Sequence, residues 1–430
     1  MKENLQNVLL PLVTKFTTTK SMIALKNGIT ATIPLTMIGS IFLIIAAFPV
    51  PAFKDYIESI GVRAILLQAF NANYGILALV VAFAVAYFYA VEEQLKGMNA
   101  GIISLVTFIL FLEHSVSKDV DGTMITIGSA INMDWLGAKG MVGAIIIGII
   151  TGKVYCFFVK RGITIKMPDS VPEGVANSFI SIIPGAVIIT GATALFALLK
   201  MQFHTTLLQF IYKAIQTPLQ GLTSSLFGVI AFSFIVSFLW WFGIHGASIM
   251  AGIFQAITIS NATFNQAILD KGEALTAANG YIFTENFRTT IIIITGSGIT
   301  IGIVLYMLFF AKSAQFKELG KLAIVPSIFN INEPILFGTP IVLNPTLFIP
   351  FCLTPVLSAT VGYLLMKFNI LPLMGSILPP WSTPPIMSGF LAGGIRIAIY
   401  QIVVIIMSFV IYFPFIKKVD EEAYKLEKGE

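Results

Sequence analysis

The stretch Ser327–Pro340, which reads SIFNINEPILFGTP, combines an apolar run with two prolines and one carboxylate. Pro334 and Pro340 lack the backbone N–H that a continuous helix requires. Irregular backbone at membrane depth is tolerated only where protein or a polar cavity satisfies it. We therefore predict a re-entrant hairpin over about 326–343 in place of a simple membrane span.

The polar side chains of this stretch predict a small polar site. Glu333 is ionisable, and an ionisable residue at membrane depth is a functional candidate by default. Asn330 and Asn332 add amide donors and acceptors close to it in the sequence. The alternative is a cytoplasmic loop between two spans, in which Glu333 is simply solvated, because prolines also mark ordinary loops.

The composition of the chain indicates a membrane protein. Its 430 residues are 57% hydrophobic and only 11% charged, and the mean hydropathy is +0.90. A soluble domain could not bury so much apolar surface, and long uncharged runs are typical of membrane helices. The net charge is +5, and we use the positions of the basic residues to predict the orientation of the chain in the membrane. We expect the lipid bilayer as the surroundings and no nucleic-acid partner.

The sequence predicts no metal site and no cofactor. Cys156 and Cys352 lie in separate apolar runs and are predicted to be buried structural thiols. The three histidines, His114, His204 and His245, are too scattered for a metal site. The Walker pattern Gly-x-x-x-x-Gly-Lys-[Ser/Thr] is missing, so this chain is not expected to use ATP.

The hydrophobic runs predict an all-α polytopic membrane protein with about ten transmembrane helices. A second proline-broken segment, 369–392, is predicted to form another re-entrant hairpin. Amphipathic patterns over 1–20 and 202–217 predict helices that lie in the membrane interface. The predicted spans are about 28–48, 74–91, 101–112, 140–159, 178–199, 226–242, 247–260, 289–310, 347–365 and 395–415.

The basic residues predict that both termini are cytoplasmic. They occur in the N-terminal leader, directly after the fourth predicted span and, as Lys417 and Lys418, after the last one. An even number of spans places all of them on one side, as the positive-inside rule requires. We divide the chain into a scaffold domain of five spans at 1–200, an interfacial linker helix at 201–222 and a second domain of five spans at 223–430.

Four polar elements in the second half supply the chemical groups that a sugar requires. Carboxylate, imidazole, amide and hydroxyl groups pair with sugar hydroxyls, and the C–H faces of a pyranose pack on indole rings. The four elements are the turn Trp240–Gly246, Asn286 with Arg288, the stretch around Glu333 and the proline-rich loop around Trp381.

Each of these residues also has a simpler interpretation. Trp240 and Trp381 fit an interfacial aromatic belt, and Arg288 fits a cation at the flank of a span that snorkels to the interface. His245 fits a satisfied polar residue at the end of a span. In the functional interpretation, Glu333 and His245 act as base and orienting partner for a hydroxyl.

Four motifs resemble the IIC component of the bacterial phosphoenolpyruvate-dependent sugar phosphotransferase system, in its lactose/cellobiose/diacetylchitobiose branch. They are Lys166–Phe179 with Ile183-Pro184, Phe242–Gly246, Asn330–Ile335 and Pro380–Pro384, and the resemblance covers essentially the whole chain. It implies a homodimeric inner-membrane permease whose first five spans form the dimer scaffold and whose second half binds the sugar. It also implies that a separate IIB protein, phosphorylated through IIA, donates phosphate to the 6-hydroxyl of the sugar.

The resemblance assigns roles to individual residues. Glu333 and His245 match the residues that lie near the reacting hydroxyl, which makes them the catalytic candidates. The candidates for sugar contact are Asn332, Trp240, Trp381, Asn286 and Asn330.

Two other classes of function are consistent with the composition. One is a proton-coupled secondary sugar transporter with Glu333 and His245 as a proton relay, and the other is a membrane enzyme without a transport role. A phosphotransferase permease delivers phosphorylated sugar to the cell, whereas a proton-coupled transporter delivers free sugar and stops when the proton gradient collapses. Within the family, the candidate disaccharides are cellobiose, diacetylchitobiose and lactose.

Overall fold

A computed structural model describes residues 11, 15, 18–48, 51–120, 123–168, 171–339 and 341–429. The described chain is predominantly helical, as the composition predicts. Most of the amphipathic leader predicted at 1–20 lies outside the described residues.

The first half of the chain contains twelve described α-helices and one pair of strands. A short 3-10 helix, Ala138–Gly140, lies just before Met141, and a π-helical turn, Tyr212–Gln216, lies between two short α-helices. In chain order the elements are α1 (Lys20–Thr30), α2 (Ile33–Ala46), α3 (Pro51–Ser59), α4 (Val62–Tyr74), α5 (Leu77–Glu92), α6 (Met98–Leu110), β1 (Ser115–Val120), β2 (Thr123–Gly128), α7 (Met133–Leu136), α8 (Met141–Lys160), α9 (Glu173–Ile180), α10 (Ile182–Phe203), α11 (Leu207–Ile211) and α12 (Thr217–Thr223).

The second half is helical throughout its regular elements. A second π-helical turn, Arg288–Ile292, directly follows the short helix Glu285–Phe287. The helices are α13 (Leu226–Trp241), α14 (Gly246–Asp270), α15 (Glu285–Phe287), α16 (Ile301–Phe309), α17 (Ala314–Ile328), α18 (Glu333–Gly338), α19 (Pro345–Lys367), α20 (Met387–Gly393) and α21 (Ile395–Lys428).

Seven helical segments of the described chain are long and apolar enough to cross a membrane. An eighth is possible if Leu207–Thr223 and Leu226–Trp241, which are bent by 80° at their junction, count as one span. The multi-pass architecture is therefore confirmed, whereas the count of ten spans and the two re-entrant hairpins stay predictions. The seven segments are Lys20–Ala46, Val62–Glu92, Ala138–Lys160, Gly174–Phe203, Gly246–Asp270, Pro345–Lys367 and Ile395–Lys428.

One part of the all-α prediction is wrong. The residues between the predicted spans 101–112 and 140–159 contain an antiparallel hairpin, in which Ser115 pairs with Gly128 and Val120 pairs with Thr123. Both strands contain β-branched residues, valine in the first and threonine and isoleucine in the second, and such residues favour extended backbone. The sequence between the strands is Asp-Gly, a dipeptide typical of two-residue hairpin turns.

The predicted span 289–310 is not one helix. After the π-helical turn the chain is irregular from 293 to 300, and α16 begins at Ile301. The backbone has positive φ at Thr295 (58°), Gly296 (92°), Gly298 (85°) and Ile299 (52°). Left-handed backbone cannot continue a right-handed helix, so the apolar composition of this segment concealed a break.

The chain folds into two compact units, each assembled from separate stretches of sequence. The first comprises the described residues of Met1–Gly39, Ala69–Leu219 and Ala251–Ser260, and the second those of Ser40–Gln68, Gln220–Met250 and Asn261–Glu430. The proposed sequence boundaries at 1–200, 201–222 and 223–430 stay a prediction.

In the first unit, α5 is the central helix and packs against α1, α6 and α8. Small residues permit these close approaches: a Cβ on Gly28 would lie 2.4 Å from Val85, and one on Gly148 would lie 2.8 Å from the same side chain. Close packing of small residues is typical of membrane helices. This unit is therefore held together by regular helices in direct contact.

An ion cluster joins three helix ends of the first unit. The carboxylate of Glu93, just after α5, accepts a hydrogen bond from Lys20 at 2.7 Å and another from Lys160. These hydrogen bonds lower the pKa of Glu93 below its usual value, and the one from Lys160 has the larger effect. The start of α1, the end of α5 and the end of α8 therefore lie together, in agreement with the common side predicted for the basic leader and the residues after the fourth span.

Candidate functional site

All seven predicted site residues belong to the second unit. Hydrogen bonds join the polar elements that contain them, mostly through backbone groups. The Asn-x-Asn-Glu-Pro stretch at 330–334 takes part in several of these contacts.

Asn330 connects three segments. Its Oδ1 accepts a hydrogen bond from the backbone N–H of Thr295 at 2.8 Å. Its Nδ2 donates to the carbonyl oxygens of Trp381 at 2.8 Å and Thr383 at 2.9 Å. The two N–H bonds of its side chain are therefore both used within the protein. Asn330 holds the proline-rich loop against the irregular segment 293–300, and direct contact with a sugar stays a prediction.

Asn332 is anchored to the same irregular segment. Its Nδ2 donates to the carbonyl of Ser297 at 2.6 Å and to the hydroxyl of Thr300 at 3.1 Å, and only 3% of the residue is exposed. Gly296 lies against it so closely that a Cβ there would be 2.4 Å from the Asn332 side chain. Because Asn332 directly precedes Glu333, these contacts fix the backbone that carries the carboxylate.

Glu333 is exposed and is the first residue of α18. Pro334 follows it in the first turn, where its lack of an N–H costs no helical hydrogen bond. A carboxylate at this end of a helix is favoured by the unpaired backbone N–H groups. In the described part of the chain no ion pair or hydrogen bond engages the Glu333 carboxylate, so a ligand can approach it.

His245 caps the N-terminus of α14. Its Nδ1 accepts a hydrogen bond from the backbone N–H of Ser248 at 3.1 Å. The neutral ring therefore carries its proton on Nε2. The imidazole is exposed, and its ring centre lies 4.4 Å from that of Trp240. The preceding turn needs Gly243, which has φ of 79°.

Trp241, in the turn before His245, is bonded to residues 343 and 344, which follow the helix that begins at Glu333. Its Nε1 donates to the carbonyl of Asn344 at 2.9 Å, and its own carbonyl accepts from the N–H of Leu343 at 2.9 Å. Residues 341–344 follow closely on the Asn-x-Asn-Glu-Pro stretch. Trp241 and Asn344 are 103 residues apart in the sequence, so the structure joins this turn to a distant part of the second unit.

The tryptophans differ in their surroundings. Trp240 is 6% exposed, and its Nε1 has no hydrogen-bond partner among the described residues. Trp381 is 61% exposed, so its indole offers an open aromatic face. The belt interpretation does not explain a buried indole donor without an acceptor, because such a group costs about 1–3 kcal/mol unless a ligand or water satisfies it.

Asn286 is fully buried, and only one of the two polar atoms of its side-chain amide has a hydrogen-bond partner among the described residues. Its Nδ2 donates to the carbonyl of Gly375 at 2.7 Å, whereas its Oδ1 has no partner among the described residues. The amide therefore connects α15 to the chain that leads into the proline-rich loop. Its unused acceptor is suited to a hydroxyl donor.

The snorkelling interpretation of Arg288 is wrong. Arg288 is 9% exposed, and its guanidinium pairs with the buried Glu285 through Nε at 3.0 Å and through a second, shorter contact from Nη2. Paired contacts of this kind are among the strongest ionic hydrogen bonds in proteins. Sequence reasoning missed Glu285, although the spacing of three residues along a helix is a recognisable signal.

Comparison with known proteins identifies a family that the chain matches over most of its length. The family model described as "Phosphotransferase system, EIIC" matches residues 26–355. The cellobiose-specific EIIC component of Geobacillus stearothermophilus is 36% identical over 433 residues, which cover 99% of this chain and 96% of that protein. The lichenan permease IIC component of Bacillus subtilis is 35% identical over 430 residues, covering 98% and 94%.

A crystal structure is also similar to this chain over almost its full length. It is that of the transporter ChbC, the IIC component from the N,N'-diacetylchitobiose-specific phosphotransferase system. The two chains are 34% identical, 99% of each is covered, and the TM-score is 0.95.

Proposed function

The chain belongs to the phosphotransferase system EIIC family, and from this premise we propose that it is the permease for a β-linked disaccharide. It binds the sugar, moves it across the membrane and presents its 6-hydroxyl to a phosphorylated IIB protein. The names of the relatives given above refer to lichenan, cellobiose and diacetylchitobiose. We therefore propose a substrate of the cellobiose type.

The observation that carries this proposal is the pair of unsatisfied buried polar atoms at the predicted sugar contacts. Trp240 offers an indole N–H and Asn286 an amide oxygen, and each lacks a partner among the described residues. A sugar hydroxyl is both a donor and an acceptor, so it can satisfy either group. Trp381 adds the exposed aromatic surface on which a pyranose ring packs.

Glu333 and His245 are the proposed catalytic groups. In the reaction the P–S bond of phosphocysteine on IIB breaks and a P–O bond forms to the sugar's O6. The hydroxyl must lose its proton, and the exposed Glu333 carboxylate is the proposed acceptor. His245, oriented by Ser248, is the proposed partner that aligns the hydroxyl. Asn332 and Asn330 hold the backbone that leads into Glu333.

The proposed architecture includes ten spans, two re-entrant hairpins at 326–343 and 369–392, and a homodimer. It also places both termini in the cytoplasm, next to IIB. The cluster of Glu93 with Lys20 and Lys160 supports this orientation, because it gathers basic residues at one end of three helices, and such residues favour the cytoplasmic side.

Vesicles test the function directly. Membrane vesicles that contain the protein are supplied with phosphorylated IIB and, in turn, with labelled cellobiose, diacetylchitobiose and lactose. We expect phosphorylated sugar to accumulate on the side of IIB, with one disaccharide preferred. Accumulation of free sugar that stops when the proton gradient is dissipated would instead indicate a proton-coupled transporter.

A further inference from the structure

The helix α21 contacts the irregular segment 293–300 through two side chains. Tyr412 donates a hydrogen bond from its hydroxyl to the carbonyl of Gly298 at 2.7 Å. Ser408, one turn earlier, donates to the carbonyl of Ile299 at 2.5 Å. Both side chains are fully buried, so water cannot replace these bonds.

Ser408 also secures the start of α16. Its Oγ accepts a hydrogen bond from the N–H of Gly302 at 3.1 Å. Gly302 lies so close to α21 that a Cβ there would be 2.5 Å from the Ser408 backbone. The irregular segment and the helix that follows it are therefore aligned against one stretch of α21.

This segment has little freedom to adjust. Thr295 and Ile299 are non-glycine residues with positive φ, which costs about 1–2 kcal/mol for each and persists only where the surroundings impose it. At Gly298 a Cβ would lie 2.2 Å from the ring of Phe351. The hydrogen bonds from Tyr412 and Ser408 are among the contacts that impose this backbone.

The segment in turn holds the residue before the proposed catalytic carboxylate. Asn332 donates to the carbonyl of Ser297 and to the hydroxyl of Thr300, on the same short stretch that Tyr412 and Ser408 contact. A continuous series of contacts thus leads from α21, through residues 297–300, to the backbone beside Glu333.

We propose that Tyr412 and Ser408 are positioning residues for phosphoryl transfer, acting through Asn332 on the placement of Glu333. This inference rests on the proposed function. Loss of either hydroxyl leaves a buried carbonyl without a partner, and the segment moves to relieve it. A displacement of about 1 Å at a reacting group can lower a rate about 100-fold. The proposed sugar contacts of Trp240 and Asn286 lie outside this segment, so we expect them to be unaffected.

The primary test is Tyr412→Phe, which removes one hydroxyl and retains the ring. The variant and the wild type are assayed for phosphorylation of cellobiose by phospho-IIB and for cellobiose binding. We expect turnover to fall about tenfold or more while the dissociation constant changes less than about twofold, since the loss affects alignment in the transition state.

Tyr400→Phe is the matched control. Tyr400 lies on the same helix, is also buried and donates to the carbonyl of Ser358 at 2.5 Å, but its hydroxyl is not bonded to the irregular segment. Thermal unfolding should show a similar loss of stability in both variants. Only Tyr412→Phe should lower turnover. An equal loss of turnover in both variants would mean that Tyr412 has only a general structural role, which would overturn the inference.

A double-mutant cycle tests the route through Asn332. If Tyr412 acts through that side chain, Tyr412→Phe combined with Asn332→Ala is no slower than Asn332→Ala alone, because the connection is already broken. Multiplicative losses would mean that the two residues act independently, which contradicts the proposal.

Ser408→Ala, with Ser358→Ala as its control, repeats the comparison if Tyr412→Phe does not fold. Ser358 donates to the carbonyl of Ile291 at 2.7 Å and is equally buried. If the wild type is active and Ser408→Ala has unchanged turnover, this inference is overturned but the proposed function is not. Wild-type protein that phosphorylates none of the three disaccharides would overturn the proposed function and this inference with it.

Discussion

The two units of the molecule satisfy their backbones in different ways. In the first, long regular helices satisfy their own backbone groups and pack through glycines such as Gly28 and Gly148. In the second, side chains satisfy irregular backbone: Gln401, for example, accepts from the N–H groups of Ile386 and Gly389 and donates to the carbonyl of Thr290.

This difference has a functional consequence. A regular helix presents few backbone groups to a ligand, whereas an irregular segment can turn polar groups and loop side chains toward one. Each side chain that holds such a segment is then indispensable, because its loss leaves a buried polar group without a partner. We expect substitutions in the second unit to affect transport more than comparable substitutions in the first.

The largest expected effect is that of Glu333→Gln. The substitution keeps the shape but removes the negative acceptor, so phosphoryl transfer should fall about 10³-fold while sugar binding changes little, as for the loss of a general base. Phosphorylation by phospho-IIB and equilibrium binding are measured separately.

Glu318→Gln is the control for this experiment, because Glu318 is an exposed carboxylate on α17 paired with Lys321 at 2.6 Å. It should behave like the wild type. Phosphorylation by Glu333→Gln near the wild-type rate would remove Glu333 from the reaction.

His245→Ala should lower phosphorylation about 100-fold, since the ring that orients the hydroxyl is lost. His204→Asn tests whether any exposed histidine behaves this way: His204 ends α10 in the left-handed conformation, which asparagine tolerates. Undiminished phosphorylation in His245→Ala, measured over the same time course, would exclude it from the site.

Replacement of one glycine in each unit tests the comparison at the level of stability. Gly298→Ala forces a Cβ into left-handed backbone and onto Phe351, and we expect it to destabilise the protein by about 2 kcal/mol or more. Gly191→Ala, in the middle of α10 with open space around it, should stabilise it by about 0.5–1 kcal/mol. Thermal unfolding in detergent measures both, and a Gly298→Ala protein as stable as the wild type would contradict the proposed rigidity of the segment.

The smallest expected effect concerns the Glu93 cluster. Because the pKa of Glu93 is lowered in the folded state, its ion pairs stabilise the fold above the unfolded pKa of about 4.3, and this contribution is lost as pH falls through the folded pKa. Glu93→Gln should lower the unfolding midpoint by roughly 2 °C at pH 7. The difference should disappear at acidic pH, and a difference independent of pH would exclude the ionic explanation.

The membrane class, most long helices and the four polar elements could be predicted from the sequence. These features depend on local composition: an apolar run long enough to span a bilayer has few alternatives to a helix, and prolines and charges within such runs are conspicuous. The hairpin at Ser115–Gly128 was also encoded locally, in its β-branched residues and its Asp-Gly dipeptide, but the polar residues around it obscured the pattern.

The break at 293–300 and the contacts of Asn330, Asn332 and Tyr412 could not be predicted in this way. Residues 289–310 are apolar enough for a helix, and the left-handed backbone within them is imposed by side chains from distant segments. Local sequence determines which backbone conformations are low in free energy. A conformation that is costly by itself is adopted only because hydrogen bonds and close packing across the folded unit offset its strain.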